Sequence, residues 1–140
     1  MFRPEEVEVA AEVLSAAAER GEASGYRCRV AEGPEGPVGF ACYGPTPCTR
    51  GTYDLYWIAV APRAQGRGVA RRLLEAVIAE ARAEGGRLLV AETSGTPAYG
   101  PAHRLYEACG FRLAARIDDF YLPGDAKLVF VRSLGVPPSP

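Results

Sequence analysis

Only one histidine occurs in 140 residues, and the four cysteines (Cys28, Cys42, Cys48, Cys109) stand at scattered spacings without a C-x-x-C pair. A zinc site draws its ligands from closely spaced Cys and His, so no metal centre is expected. No apolar run approaches the roughly 18 residues that span a bilayer, and the start lacks the charge and apolar pattern of a secretory signal. Together these absences predict a cytoplasmic chain with reduced thiols and no membrane contact. An excess of one charge is missing too: 16 basic against 17 acidic residues give a net charge of −1, which speaks against a general nucleic-acid binder. There is no repeat and no linker. With 48% hydrophobic and 24% charged residues the chain reads as one compact domain, expected over 1–134, with 135–140 a disordered tail.

A local absence is more telling. From Leu55 to Leu74 there is no Asp or Glu, while Arg63, Arg67, Arg71 and Arg72 all fall in that stretch. It reads as an apolar strand, a turn with Gly66 and Gly68, and a helix opening near Val69. Glycines let a ligand approach the backbone, and the orphan N–H groups and positive dipole end of a helix start favour an anion. A phosphate-bearing ligand is the natural occupant, and a solvated arginine face is the plainer alternative.

The rest of the chain gives this turn its setting. Pro4, Glu5 and Glu6 open an amphipathic helix that Gly21 ends. Tyr26 to Glu32 and Val38 to Tyr43 are strands joined by a Gly-Pro-Glu-Gly-Pro turn, and Gly44 to Gly51 is a loop. Tyr53 to Val60 is a third strand whose continuous apolar character predicts burial on both faces. A helix over Val69 to Glu84 turns Val69, Leu73, Leu74, Ala76, Val77 and Ala81 inward and stops at Gly85-Gly86. Leu88 to Thr93 is a strand parallel to Tyr53–Val60 by the crossover rule. A short helix from Pro101 to Gly110 and strands over Phe111 to Ile117 and Lys127 to Leu134 complete the pattern.

A dinucleotide fingerprint fits the turn poorly, because a third small residue is wanted where Arg71 stands; Glu92, one strand later, is the feature that would suit a ribose. Gln65-Gly66-Arg67-Gly68-Val69-Ala70 instead resembles the Q/R-x-x-G-x-G/A motif of the GNAT N-acetyltransferases. Ala102-His103-Arg104-Leu105-Tyr106-Glu107-Ala108-Cys109-Gly110-Phe111 resembles the later A-x-x-L-Y-x-x-x-G-F segment of the same superfamily, in the right order and with a strand between. The resemblance covers about Gly39 to Leu134.

It implies an α/β fold: a single domain with a mixed, mostly antiparallel sheet and a central parallel, splayed strand pair flanked by helices. It implies acetyl-CoA as cosubstrate and a small-molecule or peptide amine as acceptor. The amides of Gly66 to Arg71 would hold the pyrophosphate, with Gln65 opening the motif. Ala59 and Val60 would pair with the pantetheine arm and polarise the thioester carbonyl. Tyr106 would protonate the leaving thiolate, whereas spacing alone makes it a core tyrosine.

An acid must take a proton from the acceptor ammonium, and two are candidates. Asp54 lies six residues before Val60, on the side of Tyr56 and Ile58 if alternation holds, and Glu92 ends the neighbouring strand. His103 is expected to face solvent and Cys109 to be a core residue. Asp118, Asp119, Phe120, Tyr121 and Asp125, between the last two strands, form an acidic and aromatic stretch; a polar loop is the plain reading, and its place next to the acceptor groove in the superfamily pattern suits it to a cationic amine. The first strand of that pattern is missing here, which leaves an edge open to a second subunit and predicts a homodimer. The expected activity is N-acetylation by direct attack of the amine; a CoA- or nucleotide-binding module without catalysis is the alternative.

Overall fold

The computed structural model describes residues 25–34 and 36–135. The expected first helix, the missing first strand and nearly all of the tail lie outside them. β1 (Arg27–Gly33) and β2 (Gly36–Pro45) form a hairpin, and β3 (Thr52–Val60) follows after a loop. A 3-10 turn at Pro62–Ala64 leads into α1 (Val69–Ala83), then β4 (Leu88–Ser94), a second 3-10 turn at Pro97–Tyr99 and α2 (Gly100–Ala108). β5 (Arg112–Leu122) and β6 (Asp125–Ser133) end the fold. The strands make one six-stranded sheet in the order β1-β2-β3-β4-β6-β5. β3 and β4 run parallel and every other neighbouring pair is antiparallel, the mixed α/β architecture expected. No helix of the described residues is long and apolar enough to cross a membrane.

The amphipathic pattern of α1 buries Val69, Leu73, Leu74, Val77, Ile78 and Ala81 against one face of the sheet. Ile78 takes the inward place expected of Ala76. The same cluster holds Ala41 and Tyr43 of β2, Tyr53 and Leu55 of β3, Leu89 and Ala91 of β4, Leu128 and Phe130 of β6, and Tyr106 and Cys109 from the second helix and its end. Burying these apolar surfaces together against water is the main driving force for the arrangement.

β3 departs from simple alternation. Tyr43 pairs with Leu55, but the preceding Cys42 pairs with Trp57, so Tyr56 is an extra residue, a β-bulge. The bulge turns the later part of the strand over: Ile58 and Val60 pack on the core cluster that holds Tyr53 and Leu55. Ile58 therefore does not share a side with Asp54, contrary to the alternation expectation. Nor is the strand buried on both faces, since Tyr56 to Val60 are each only partly covered.

The thiols also differ from expectation. Cys28 and Cys42 are register partners across β1 and β2, with Cα atoms 4.3 Å apart, and they are joined as a disulfide. Cys48 is free and exposed, and Cys109 is free and buried.

Candidate acyl-transfer site

The ladder between β3 and β4 runs from Thr52↔Leu88 to Leu55↔Ala91 and stops there. Past the bulge β3 keeps only β2 as a neighbour, so its other edge borders a V-shaped gap. Ala61 N–H donates to the Val38 carbonyl at 2.7 Å, which makes Ala61 and Val38 a hydrogen-bonded pair. In an antiparallel ladder such pairs alternate, so the backbone groups of Ala59 face β2 while those of Val60 and Ile58 face the gap. Of the two residues expected to meet a ligand through their backbone, Val60 thus borders the gap and Ala59 does not. Ile58 joins Val60 there, and only knowledge of the bulge would have revealed it.

At the open end of this gap lies the glycine turn. Gln65 Nε2 donates to the Val60 carbonyl at 3.2 Å, tying the turn to the strand end and leaving the Val60 N–H as the group toward the gap. Gly66 and Gly68 have φ of +79° and +77°, a region that side chains with a Cβ disfavour. A Cβ on Gly66 would meet nothing within 4 Å, and one on Gly68 would meet only Arg72 Nη1 at 3.6 Å. Conformation and open space, not packing, account for both glycines.

Gly68 caps α1 without a side chain, and the first N–H to enter the helical ladder is that of Arg72, on the Gly68 carbonyl at 3.1 Å. The amides of Val69, Ala70 and Arg71 precede it and are the orphan donors of a helix start, with no acid in the first turn. This is the donor set and the clearance a diphosphate requires. The arginines around it are exposed: Arg72 Nη1 donates to the Arg67 carbonyl at 3.3 Å, and Arg71 pairs with Glu75 at 3.1 Å. Arg71 also borders a cavity of about 450 Å³ between α1 and the end of α2, which continues to Arg82 and Arg132, away from the gap.

α2 supplies Tyr106, which is 5% exposed and wedged between the rings of Phe111 at 5.3 Å and Phe130 at 5.4 Å. Burial pushes its phenol up to about 12. The group keeps its proton at any working pH and can donate it in a hydrogen bond. Cys109, one turn on, is 9% exposed, and its thiol is raised chiefly by burial.

The two candidate bases sit in different surroundings. Asp54 is on β3 just before the bulge and accepts from Thr46 Oγ1 at 2.8 Å. It lies beside Tyr56, whose phenol is raised by burial first, then by the Asp54 charge and Tyr26. Glu92 is on β4 one residue past the last pair with β3, and is bound to Lys127 at 3.1 Å with about half its side chain exposed. Lys127 in turn lies 4.6 Å from the centre of the Phe120 ring. That brings the acidic and aromatic stretch of β5 to the Glu92 side of the gap.

His103 does not point into solvent. Its Nε2 is 2.8 Å from the Ser94 carbonyl, and its ring stacks on Phe130 at 5.8 Å. Ser94 Oγ donates to Asp125, and both residues are buried. Asp125 thus departs from the acidic stretch it was expected to join: it is buried on Ser94, 31 positions away, at the start of β6, while Asp118 to Tyr121 continue β5 rather than forming a loop.

Residues 2–111 match the model of the acetyltransferase (GNAT) family. A solved structure of a protein assigned to that family from Desulfovibrio desulfuricans is 47% identical, with a TM-score of 0.92, over 96% of this chain and 85% of its own. YncA from Salmonella typhimurium, solved with its cofactor acetyl-CoA, is 25% identical with a TM-score of 0.77, over 93% of this chain and 76% of its own. A ribosomal-protein-alanine N-acetyltransferase from Brucella melitensis is 26% identical with a TM-score of 0.70, over 90% and 77%. No curated protein matches the sequence. The matched span takes in both motifs, the splayed parallel pair and the glycine turn, and the chain belongs to the GNAT family of acetyltransferases.

Proposed function

We propose that the protein transfers an acetyl group from acetyl-CoA to a primary amine on a small molecule or peptide, by direct attack. The observation that carries this reading is the continuity of two backbone surfaces: the orphan amides at the start of α1 and the unpaired inner edge of β3. One suits a diphosphate and the other an amide-containing arm. Acetyl-CoA supplies the activated acyl group as a thioester.

The chain's own residues then have distinct tasks. Gly66 to Arg71 hold the pyrophosphate through N–H donors. Val60 and Ile58 present backbone groups to the arm, and a β3 amide near the bulge polarises the carbonyl as a preorganised donor. Tyr106 meets the leaving sulfur. A free thiol has a pKa of about 8.5, so complete transfer from a phenol near 12 is uphill by about 5 kcal/mol. Tyr106 therefore acts first as a hydrogen-bond donor to the departing sulfur, with the proton passing as the products separate. Asp54, directly or through water, removes the proton of the acceptor ammonium; Glu92 is the weaker candidate because Lys127 already holds it. Direct attack needs no nucleophile from the protein, and buried Cys109, with its raised thiol, is unsuited to be one.

The test is calorimetric titration with acetyl-CoA and with an adenine dinucleotide, followed by a thiol-release assay over a panel of amines. Binding of acetyl-CoA and amine-dependent thiol release are expected. Binding without release for any amine class would favour a CoA-binding module, and preference for the dinucleotide would overturn the assignment of the turn.

A further inference from the structure

We propose that His103 is a positioning residue for Tyr106: bonded to the Ser94 carbonyl and stacked on Phe130, it sets where α2 presents the phenol to the gap. The proposal rests on the reading of Tyr106 as the donor to the leaving group.

A carbonyl oxygen only accepts, so the 2.8 Å contact fixes the proton on His103 Nε2. Both the neutral Nε2–H tautomer and the imidazolium supply that donor. What His103 holds is itself immobilised. Ser94 Oγ gives its single proton to Asp125, accepts from the Thr96 amide at 3.1 Å, and takes the Thr96 hydroxyl proton at 2.9 Å. Gly95 N–H adds a bond to the Ala126 carbonyl at 2.8 Å, and Ser94 pairs in register with Lys127. The end of β4, which has no β3 partner at this point, is therefore anchored by the start of β6.

α2 needs such an anchor. It has nine residues and no side-chain cap at its start, too short to hold its own geometry. His103 and Tyr106 are three residues apart, on one face of the helix. They also share Phe130: the histidine stacks on it with an interplanar angle of 28°, and the tyrosine ring leans on it at 45°. One ring of β6 and one carbonyl of β4 thereby fix the helix at the turn before the phenol. The short reach of this chain of contacts makes a displacement of His103 a displacement of Tyr106, and small misplacements of a reacting group carry large rate penalties.

The experiment uses the full chain, acetyl-CoA and the amine that proves active. His103→Phe keeps a ring on Phe130 and removes the donor; His103→Gln keeps an N–H near the same point and removes the ring. Turnover should fall about tenfold in His103→Phe with the KM for acetyl-CoA within about twofold, and His103→Gln should recover most of the loss. In a Tyr106→Phe background the same His103→Phe change should alter turnover by less than about twofold. Equal losses in both backgrounds would overturn the proposal.

A second readout needs no activity: the alkaline difference titration of each protein against its Tyr106→Phe counterpart, which isolates one phenol among seven tyrosines. The parent phenol, near 12, should move toward 10 in His103→Phe as α2 shifts and water enters. An unmoved titration would also overturn the proposal. Parental turnover in Tyr106→Phe would instead sink the reading of Tyr106, with the titration still deciding whether His103 places the ring.

Discussion

The glycine turn and the surroundings of Tyr106 are made of different material. The turn is backbone: two left-handed glycines, a helix start without a side-chain cap, and amides with open space before them. The surroundings of Tyr106 are packing: a phenol held between two phenylalanines, with a histidine and a buried serine and aspartate nearby. A backbone surface recognises what every CoA ester has in common and is indifferent to most side-chain changes nearby. A packed surface places one atom and is sensitive to changes that never touch the ligand.

The contrast is broken most severely at Gly68. Gly68→Val puts a β-branched residue at a φ of +77° and fills the space before the helix start. The affinity for CoA should fall by more than about 100-fold in calorimetry while the fold survives, the surrounding core being untouched. Undiminished binding in a folded variant would end the assignment of the turn.

Tyr106→Phe is the counterpart on the packed side. It keeps the ring and removes the donor, so turnover should drop about 10- to 1000-fold with acetyl-CoA affinity nearly kept, the reverse of the glycine variant. The raised phenol also has a sign in stability. Its proton is bound more tightly in the folded state, so its contribution is complete below pH 10, the unfolded value, and is lost as pH rises toward 12. Melting temperatures of parent and Tyr106→Phe should therefore converge or cross only above about pH 10. The loss for this buried group is of order 2 to 3 kcal/mol.

A smaller effect separates the acids. Asp54→Asn should lower turnover at neutral pH by about 10-fold or more, and Glu92→Gln by less, because Glu92 is already paired with Lys127. Similar pH–rate profiles for the parent and both variants would move proton removal to solvent. The smallest change is in the arginines. Alanine at Arg67, Arg71 and Arg72 together, or added salt, should weaken CoA binding only a few-fold, since exposed charges are screened over about 8 Å at physiological ionic strength.

The same division explains what could be read in advance. The glycine turn, α1 and the parallel pair were legible because they follow from local rules: a period of 3.6, glycines at the turn, and a crossover between strands. The alternation rule failed at Tyr56 because a bulge is decided by the partner strand, not by the sequence around it. The Cys28–Cys42 pair was hidden for a similar reason. Counting outward from Gly33↔Gly36 sets Cys28 opposite Ala41, and only the irregularity between Ala31 and Glu32 brings Cys42 into register. His103 looked solvent-facing because its partner, the Ser94 carbonyl, belongs to another element.

Tyr56 acts as a spacer between two reading frames. Before it, β3 is in phase with β4 and with the core; after it, the phase is reset so that Ile58 and Val60 return to the core side. Were β3 to keep all its residues and run through this point without the bulge, Trp57 would take the inward place of Ile58 and the edge beside the gap would present the opposite set of amides. The unpaired place of Tyr56, more than the chemistry of its side chain, is what sets which groups of the strand face the gap.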